Sequence, residues 1–438
     1  MTTVANDQPN QASSSNLLPM IIIGVLFFIF GFVTWLNGSL IPFLKIICEL
    51  NEFQALLVTF AFYIAYIVMA FPMSLLLDKT GYKNGMALGL GIMVVGSLLF
   101  IPAAQSGNYL VFLCALFVLG SGLTILQTAS NPYVVKIGPE ESAAMRISIM
   151  GLINKAAGVL APLLFTALVL SGMGDYSESF IAQLSEIERQ AKIDELANAL
   201  IKPYLAMAIA LLGLTAFVKF SNLPELDFGD EEQADDGKSI TEFPQVVLGA
   251  IAIFFYVGIE VIAGDTIGLY GQSLNVENFA SLTSYTMVFM VLGYIIGVTC
   301  IPKFISQTQA LVGSAIAGML CVLGVLLASS ESHAIASVIW GWSGIATIPD
   351  TVTFVALMGL AHALVWPAVW PLALSGLGKH TAQGSALLIM GIAGGALLPL
   401  VFGQLAHSYN TQFAYVTGII CYGYILYYGL VGHRKRSW

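Results

Sequence analysis

Apolar runs of about 20 residues dominate this chain, and they constrain its fold more than any other feature. A helix needs about 20 apolar residues to cross the hydrocarbon core of a bilayer. Counting runs of that length between polar breaks predicts twelve membrane spans, numbered 1 to 12 in chain order. They cover residues 20–43, 53–77, 85–105, 108–135, 144–172, 203–221, 243–270, 281–301, 309–329, 351–376, 384–406 and 413–432. The pattern therefore predicts an all-α membrane protein.

The composition supports the same class and excludes others. Of the 438 residues, 58% are hydrophobic and only 9% are charged, whereas about a quarter of a soluble protein is charged. This chain lacks the polar surface that would cover its core in water. That excludes a soluble enzyme, a nucleic-acid-binding protein and a disordered chain. We expect the lipid bilayer as its environment, no nucleic-acid partner and no cofactor. We also expect no metal site built from cysteines, because the five cysteines are scattered without metal-ligand spacing.

One further apolar segment, AIASVIWGWSGIATI at residues 334–348, is too short to span. We predict a re-entrant or interfacial piece there. The net charge of −9 is concentrated in loops, since residues 222–242 hold eight carboxylates and residues 173–202 hold six. The acidity therefore says nothing about the substrate. The predicted organisation is a polar tail (1–19), a six-helix half (20–221), an acidic cytoplasmic linker (222–242) and a second six-helix half (243–433).

The distribution of lysine and arginine predicts the orientation, because cytoplasmic loops carry an excess of both. With twelve spans and both termini in the cytoplasm, eleven basic residues lie on the inner face and four on the outer face. The outer four are Lys45, Arg189, Lys192 and Lys202. Lys155 lies inside span 5.

An internal repeat supports two related halves. Two stretches about 240 residues apart share residues at matching places, namely Pro132 with Pro371, Gly138 with Gly378, and Met150-Gly151 with Met390-Gly391. Parallel repeats of this kind are a transporter architecture, in which the substrate site lies near the midplane between the halves.

Polar residues inside the spans indicate where a substrate could bind, because uncompensated polar groups are costly in lipid. Gln127 and Asn131 are four residues apart and share a helix face, as do His362 and Trp366. Neutral amides can both donate to and accept from hydroxyls, and the apolar face of a pyranose stacks on an aromatic ring. This combination predicts a small-molecule sugar. The candidate substrate-binding residues are Asn37, Gln127, Asn131, Asn154, His362 and Trp366.

Each candidate also has a structural interpretation. An amide can join helices, a tryptophan can anchor a helix at the membrane interface, and a histidine can be a packing residue. Glu260 in span 7 differs, because a carboxylate that deep needs a cation, a proton or a lysine. We predict a coupling role for Glu260, with a partnership to Lys155 as the alternative. Asp265 lies near the outer end of span 7, where we expect it to be solvated.

Four segments resemble the fucose–galactose–glucose symporter family of the major facilitator superfamily. They are FFIFGFVTWLNGSLIPFLK on span 1, LQTASNPYVVKIGP on span 4, FYVGIEV on span 7 and WPAVWPLAL on span 10. The segment DKTGYKNG at 78–85 is similar to that superfamily's loop between helices 2 and 3. The resemblance implies the twelve-helix major facilitator fold, alternating access, and sugar uptake driven by protons or sodium across the inner membrane of a bacterium.

The chain departs from the fucose/proton branch of that family at two acidic positions. The carboxylates of that branch on helices 1 and 4 fall here on Gly38 and Gln127, neither of which can titrate. Asn154 matches the family's amide on helix 5, and Glu260 lies where the glucose/galactose branch has a glutamate. His362 lies where relatives often have an asparagine. Because two titratable positions are neutral while Glu260 remains, the comparison favours sodium as the coupling ion.

Hard cations such as sodium prefer oxygen ligands, and Asn37 or Thr266 could supply them beside Glu260. The predicted function is sodium-coupled uptake of glucose- or galactose-type hexoses by a monomer. The alternatives are a proton-coupled fucose or N-acetylglucosamine symporter and a drug or metabolite exporter of the same fold. A membrane-embedded enzyme lacks a hydrolytic motif in the spans, and a channel or sugar sensor is not excluded by any motif.

Overall fold

The computed structural model describes residues 17–137, 143–170, 176, 178–221, 223, 239–301, 304–377 and 380–438. Among these residues every regular element is helical, because a chain inside lipid must satisfy its backbone hydrogen bonds within each segment. The helices of the first half are α1 (Leu17–Ile47), α2a (Glu52–Val68), α2b (Ala70–Thr80), α3 (Tyr82–Ser106), α4 (Tyr109–Lys136), α5 (Ala143–Phe165) and α6 (Ile201–Phe220).

The second half repeats this plan. Its helices are α7 (Pro244–Ser273), α8 (Thr283–Cys300), α9 (Gln307–Leu327), α10a (Asp350–His362), α10b (Val365–Leu374), α11a (Thr381–Met390), α11b (Gly394–Ser408) and α12 (Thr417–Leu430). Eleven helical stretches in the described part of the chain are long and apolar enough to cross a bilayer, and the shorter α2a supplies the remaining span. The predicted twelve-helix bundle is confirmed.

Spans 2, 10 and 11 each consist of two helices. Proline lacks a backbone N–H and its ring clashes with the carbonyl four residues earlier. Pro72 and Pro367 are each four residues beyond a break, at Val68 and Ala363. Span 11 passes instead through a short 3-10 turn, Gly391–Ala393, where the backbone lies close to α7.

The apolar segment 334–348 does not cross the bundle. It forms a short helix, Ala334–Ile339, and a 3-10 turn, Gly341–Ser343. Trp340 packs against Tyr285 and Phe289 with ring centroids 5.6 and 6.1 Å away, whereas Trp342 is exposed. The predicted tail residues 1–16, most of the acidic linker, and the repeat glycines Gly138 and Gly378 lie outside the described residues.

The two halves meet where α1 leads into α2a and α7 leads into α8, on the face that the charge distribution predicts to be outer. There the Ser39 hydroxyl donates to the carbonyl of Ala280. Helix α2a packs against α11b, and α5 packs against α8 through a hydrogen bond from Ser284 Oγ to the Val159 carbonyl at 2.7 Å. These contacts close the predicted outer face.

Gly38 allows the closest approach in this contact. A Cβ atom at Gly38 would meet the Thr283 hydroxyl and would lie 2.8 Å from the Gly264 carbonyl oxygen. Small residues permit such backbone contact between membrane helices. A larger side chain here would hold α1 away from α7 and α8.

We therefore expect Gly38→Val to prevent outer closure while the bundle still folds. If the halves rock about a central site, the predicted sugar uptake should fall at least about tenfold, since about 1.4 kcal/mol of steric strain suffices for that change. Uptake into proteoliposomes measures it, with helicity as the check on folding. Gly91→Val in α3 is the matched control, because a Cβ there meets no atom within 4 Å. Normal uptake by Gly38→Val would show that this contact is not needed for transport.

Candidate functional site

A buried ion pair joins the two halves at the centre of the bundle. Lys155 Nζ on α5 lies 2.9 Å from Glu260 Oε1 on α7, and both residues are less than a tenth exposed. The Tyr256 hydroxyl donates to the same oxygen at 2.7 Å. Tyr256 and Glu260 are four residues apart, so α7 presents both on one face. Buried charges are tolerated when they are paired and hydrogen-bonded, and this carboxylate is both.

Trp35 completes this cluster from α1. The Lys155 ammonium lies 4.4 Å from the centre of its ring, within the range of a cation–π interaction. Gly158 on α5 and Gly264 on α7 make room for the ring, because a Cβ at Gly158 would come within 2.6 Å of Trp35 Cδ1 and one at Gly264 would also overlap the ring. Sequence reasoning did not assign Trp35 to the site. The glycines that receive its ring lie on other helices, so the sequence around Trp35 carried no signal for this contact.

The environment of Glu260 bears directly on the sodium hypothesis. One of its oxygens already accepts hydrogen bonds from an ammonium and a phenol. The alternative considered from sequence, a buried partner for Lys155, is the arrangement that the structure contains. Asn37, the other expected sodium ligand, is 2% exposed, and its Nδ2 has no hydrogen-bond partner among the described residues.

Two amides predicted to bind the substrate lie on α4. Gln127 Nε2 donates to the Tyr66 hydroxyl of α2a at 2.7 Å. Gln127 and Asn131 are both half-buried, so parts of their side chains remain accessible. The bond to Tyr66 orients the Gln127 amide, which is what a polar binding group requires for specificity.

Helix α10b contributes two aromatic rings, one of which lies near Tyr256. Trp366 and Trp370 stack with centroids 5.1 Å apart, and both are half-buried. The ring of Tyr256 lies 6.4 Å from Trp366, so Tyr256 connects the tryptophan pair to Glu260. The structure thus brings Trp366 and Glu260 together through a residue that sequence reasoning did not single out.

His362 and Asn154 are less accessible than the sequence suggested. His362 is fully buried, and its Nε2 lies 2.6 Å from the Tyr422 hydroxyl. Asn154 is half-buried, and its Nδ2 donates to the Phe27 carbonyl of α1 at 3.3 Å. In this conformation His362 packs behind Tyr256, and Asn154 ties α5 to α1.

The prediction that Asp265 is solvated is wrong. Its exposure is 0%, because α2a covers this turn of α7. Thr59 on α2a donates to Asp265 Oδ2 at 3.1 Å, and Oδ1 has no hydrogen-bond partner among the described residues. Asp265 therefore lies at the interface between the halves, one turn nearer the predicted outer face than Glu260.

The chain is similar to known proteins along most of its length. A model of the Major Facilitator Superfamily matches residues 23–399. A glucose/galactose transporter of Brucella abortus is 35% identical over 418 residues, which is 94% of this chain and 93% of that relative. An L-fucose-proton symporter of Escherichia coli is 25% identical over 432 residues, covering 96% and 94%. The crystal structure of FucP, an E. coli fucose:proton symporter, in the outward conformation superposes with a TM-score of 0.71 at 25% identity, covering 95% and 98%.

The Lys155–Glu260 pair should behave as a buried ion pair in stability measurements. Removing one partner leaves an uncompensated charge, so Lys155→Met or Glu260→Gln should each lower the free energy of unfolding by about 3–5 kcal/mol. The double variant should recover most of that loss. Thermal unfolding in detergent compares the three.

The control is the pair of half-buried Lys192 and exposed Glu195, which has the same 2.9 Å separation. Lys192→Met should change the free energy of unfolding by no more than about 1 kcal/mol. If the double variant Lys155→Met/Glu260→Gln were as unstable as the single variants, desolvated charge would not be the cause.

Proposed function

The chain belongs to the Major Facilitator Superfamily and, within it, to the fucose–galactose–glucose symporter family, and from that premise we propose that it takes up a hexose together with a cation by alternating access. The relative with 35% identity is named a glucose/galactose transporter, which favours those sugars over fucose. We also propose that both termini are cytoplasmic, as the lysine and arginine distribution predicts.

The observation that carries this proposal is the chemistry of half-buried side chains contributed by both halves. Half-buried amides on α4, Gln127 and Asn131, come from the first half, and the half-buried pair Trp366 and Trp370 comes from the second. Amides can exchange hydrogen bonds with sugar hydroxyls, and tryptophan can stack against the apolar face of the ring. A binding site near the midplane between two parallel repeats is the geometry that alternating access needs.

We assign the Lys155–Glu260 pair a positioning role in this site. The pair links α5 to α7 near the centre of the bundle. It also orients Tyr256, which contacts Trp366. The pair therefore supports the aromatic surface on which a sugar would lie.

For the coupling ion we propose the proton in place of the sodium that the sequence favoured. The sodium hypothesis rested on Glu260 as an ionised carboxylate in need of a cation, and Lys155 supplies that cation. A relative at 25% identity over most of the chain is named a proton symporter. Among the described residues, Asp265 is a second buried carboxylate on α7, and it could carry a proton.

Two alternative functions have less support. An exporter of drugs or metabolites would share the fold, but the Brucella abortus and Escherichia coli relatives are named a glucose/galactose transporter and an L-fucose-proton symporter. The hypothesis of a membrane-embedded enzyme has no support from these relatives either. The polar faces described above favour a neutral, hydroxyl-rich substrate over a charged or strongly apolar one.

A substrate panel in proteoliposomes tests the proposed function. Glucose, galactose, fucose and N-acetylglucosamine should be compared under a proton gradient without sodium and under a sodium gradient at equal pH. We expect glucose or galactose to accumulate under the proton gradient alone. Accumulation that requires sodium would restore the sodium hypothesis, and uptake without accumulation under either gradient would indicate a passive carrier.

Trp366 offers a test of the sugar site. Trp366→Phe should keep part of the stacking surface and raise the apparent KM severalfold, whereas Trp366→Ala should lose most uptake. Stacking between aromatic rings is worth about 0.5–1.5 kcal/mol beyond area burial, and we expect a loss of similar size for a sugar ring. Trp342→Ala is the control, since Trp342 is exposed on the outer segment. If Trp366→Ala transports sugar normally, the tryptophan is a packing residue.

A further inference from the structure

We propose that Asp265 is the residue that carries the coupled proton, and that its protonation is linked to closure of the outer contact between the halves. This inference rests on the proton coupling proposed above. It adds a residue and a route, both of which can fail while proton coupling itself stands.

The first support is the contrast between the two buried carboxylates of α7. Glu260 has a cation at 2.9 Å and a phenol at 2.7 Å. Asp265 has only the neutral hydroxyl of Thr59 on Oδ2, and its buried Oδ1 has no partner among the described residues. A buried anion without a cation is costly. Different environments assign different roles to paired carboxylates, so Glu260 serves as the partner of Lys155 while Asp265 is suited to hold a proton.

The groups that face Asp265 add no positive charge. Tyr63 on α2a and Glu260 on its own helix are the titratable neighbours that act on it electrostatically. Lys45, near the outer end of α1, is bound to Glu52. On α11b, His407 is exposed at the far end of the helix. Among these groups no cation compensates an ionised Asp265.

The second support is the position of Asp265 at the contact that must open. Thr59 belongs to the first half and Asp265 to the second, and both are 0% exposed. Their hydrogen bond therefore exists only while α2a and α7 are together. When the outer face opens, Asp265 meets water and accepts one proton. When it closes, a neutral carboxyl is enclosed at little cost, whereas a carboxylate would be enclosed without a counter-charge.

The third support is a line of hydroxyl groups that leads from Asp265 towards the centre. Thr59, Tyr63 and Tyr66 are at positions i, i+4 and i+7 of α2a and so share one face. Tyr63 and Tyr66 stack with centroids 6.0 Å apart, and the Tyr66 hydroxyl is bound to the half-buried amide of Gln127. We infer that this hydroxyl line is the inward route of the proton.

The step balances without another reactant. On the outer side one proton from water binds the carboxylate of Asp265, forming the neutral acid. On the inner side the carboxyl group gives its proton to the hydroxyl line, and the line releases one proton to water beside Gln127. Each hydroxyl loses its own O–H proton as it receives another, so its O–H bond is restored, the carboxylate is regenerated and one proton crosses in each cycle.

The decisive variant is Asp265→Asn, which keeps the shape and the bond from Thr59 but cannot take up a proton. We expect proton-driven sugar accumulation and sugar-dependent proton uptake to be lost, while exchange of labelled for unlabelled sugar at equal concentration is kept. Asp350→Asn is the matched control. Asp350 is also a buried carboxylate of the second half, but it accepts from the Ile335 backbone N–H at 2.8 Å, so its replacement should leave accumulation unchanged.

If Asp265→Asn does not fold, the variants Thr59→Val and Tyr63→Phe test the same assignment. Thr59→Val removes one hydrogen bond to the carboxyl group, so the pH of half-maximal uptake should shift by about 0.5 unit or more. Tyr63→Phe should slow proton-coupled uptake more than sugar exchange. An unchanged pH profile in Thr59→Val, or accumulation by Asp265→Asn, would overturn the assignment of Asp265. Sodium-driven uptake by the unsubstituted protein would instead overturn proton coupling itself.

Discussion

The salt bridge between Lys155 and Glu260 is the interaction on which the centre of this structure depends. A bilayer protein has little water in its interior to solvate a charge, so each ionised group needs a partner of opposite charge. Here that partner comes from the other half of the molecule. The pair links α5 to α7 through their side chains, and the Trp35 ring lies against the Lys155 ammonium. This contact therefore joins the halves at the centre. Removing only one of its two charged partners should cost several kcal/mol of stability.

The two carboxylates of α7 differ because of helix geometry. Five residues separate Glu260 from Asp265, and at 100° per residue their side chains point about 140° apart. One consequently meets Lys155 on α5 and the other meets Thr59 on α2a. The same helix thus contributes a permanently compensated charge that positions the site and a second acid whose surroundings change when the halves move.

Hydropathy alone predicted the twelve spans, because a bilayer sets the length of every helix. Two of the three helix breaks could also have been predicted, since Pro72 and Pro367 lie four residues after them. The burial of Asp265 could not have been predicted, because its place near the end of a span does not show that α2a covers it. Trp35 was missed for a related reason, since the glycines that receive it lie on α5 and α7, over 120 residues away. Such contacts depend on which helices are neighbours, not on local sequence.

Closure of the outer face depends both on the steric fit at Gly38 and on the charge of Asp265. Gly38 lets α1 approach α7 closely, and that approach completes the closure that keeps water from Asp265. An unpaired aspartate at depth costs about 3 kcal/mol on insertion scales, and each 1.4 kcal/mol changes a population about tenfold. A closed state with ionised Asp265 should therefore be about a hundred times rarer than one with neutral Asp265. Closure of the outer face over sugar without a proton would then be the rare event, which is the condition for a gradient to drive accumulation.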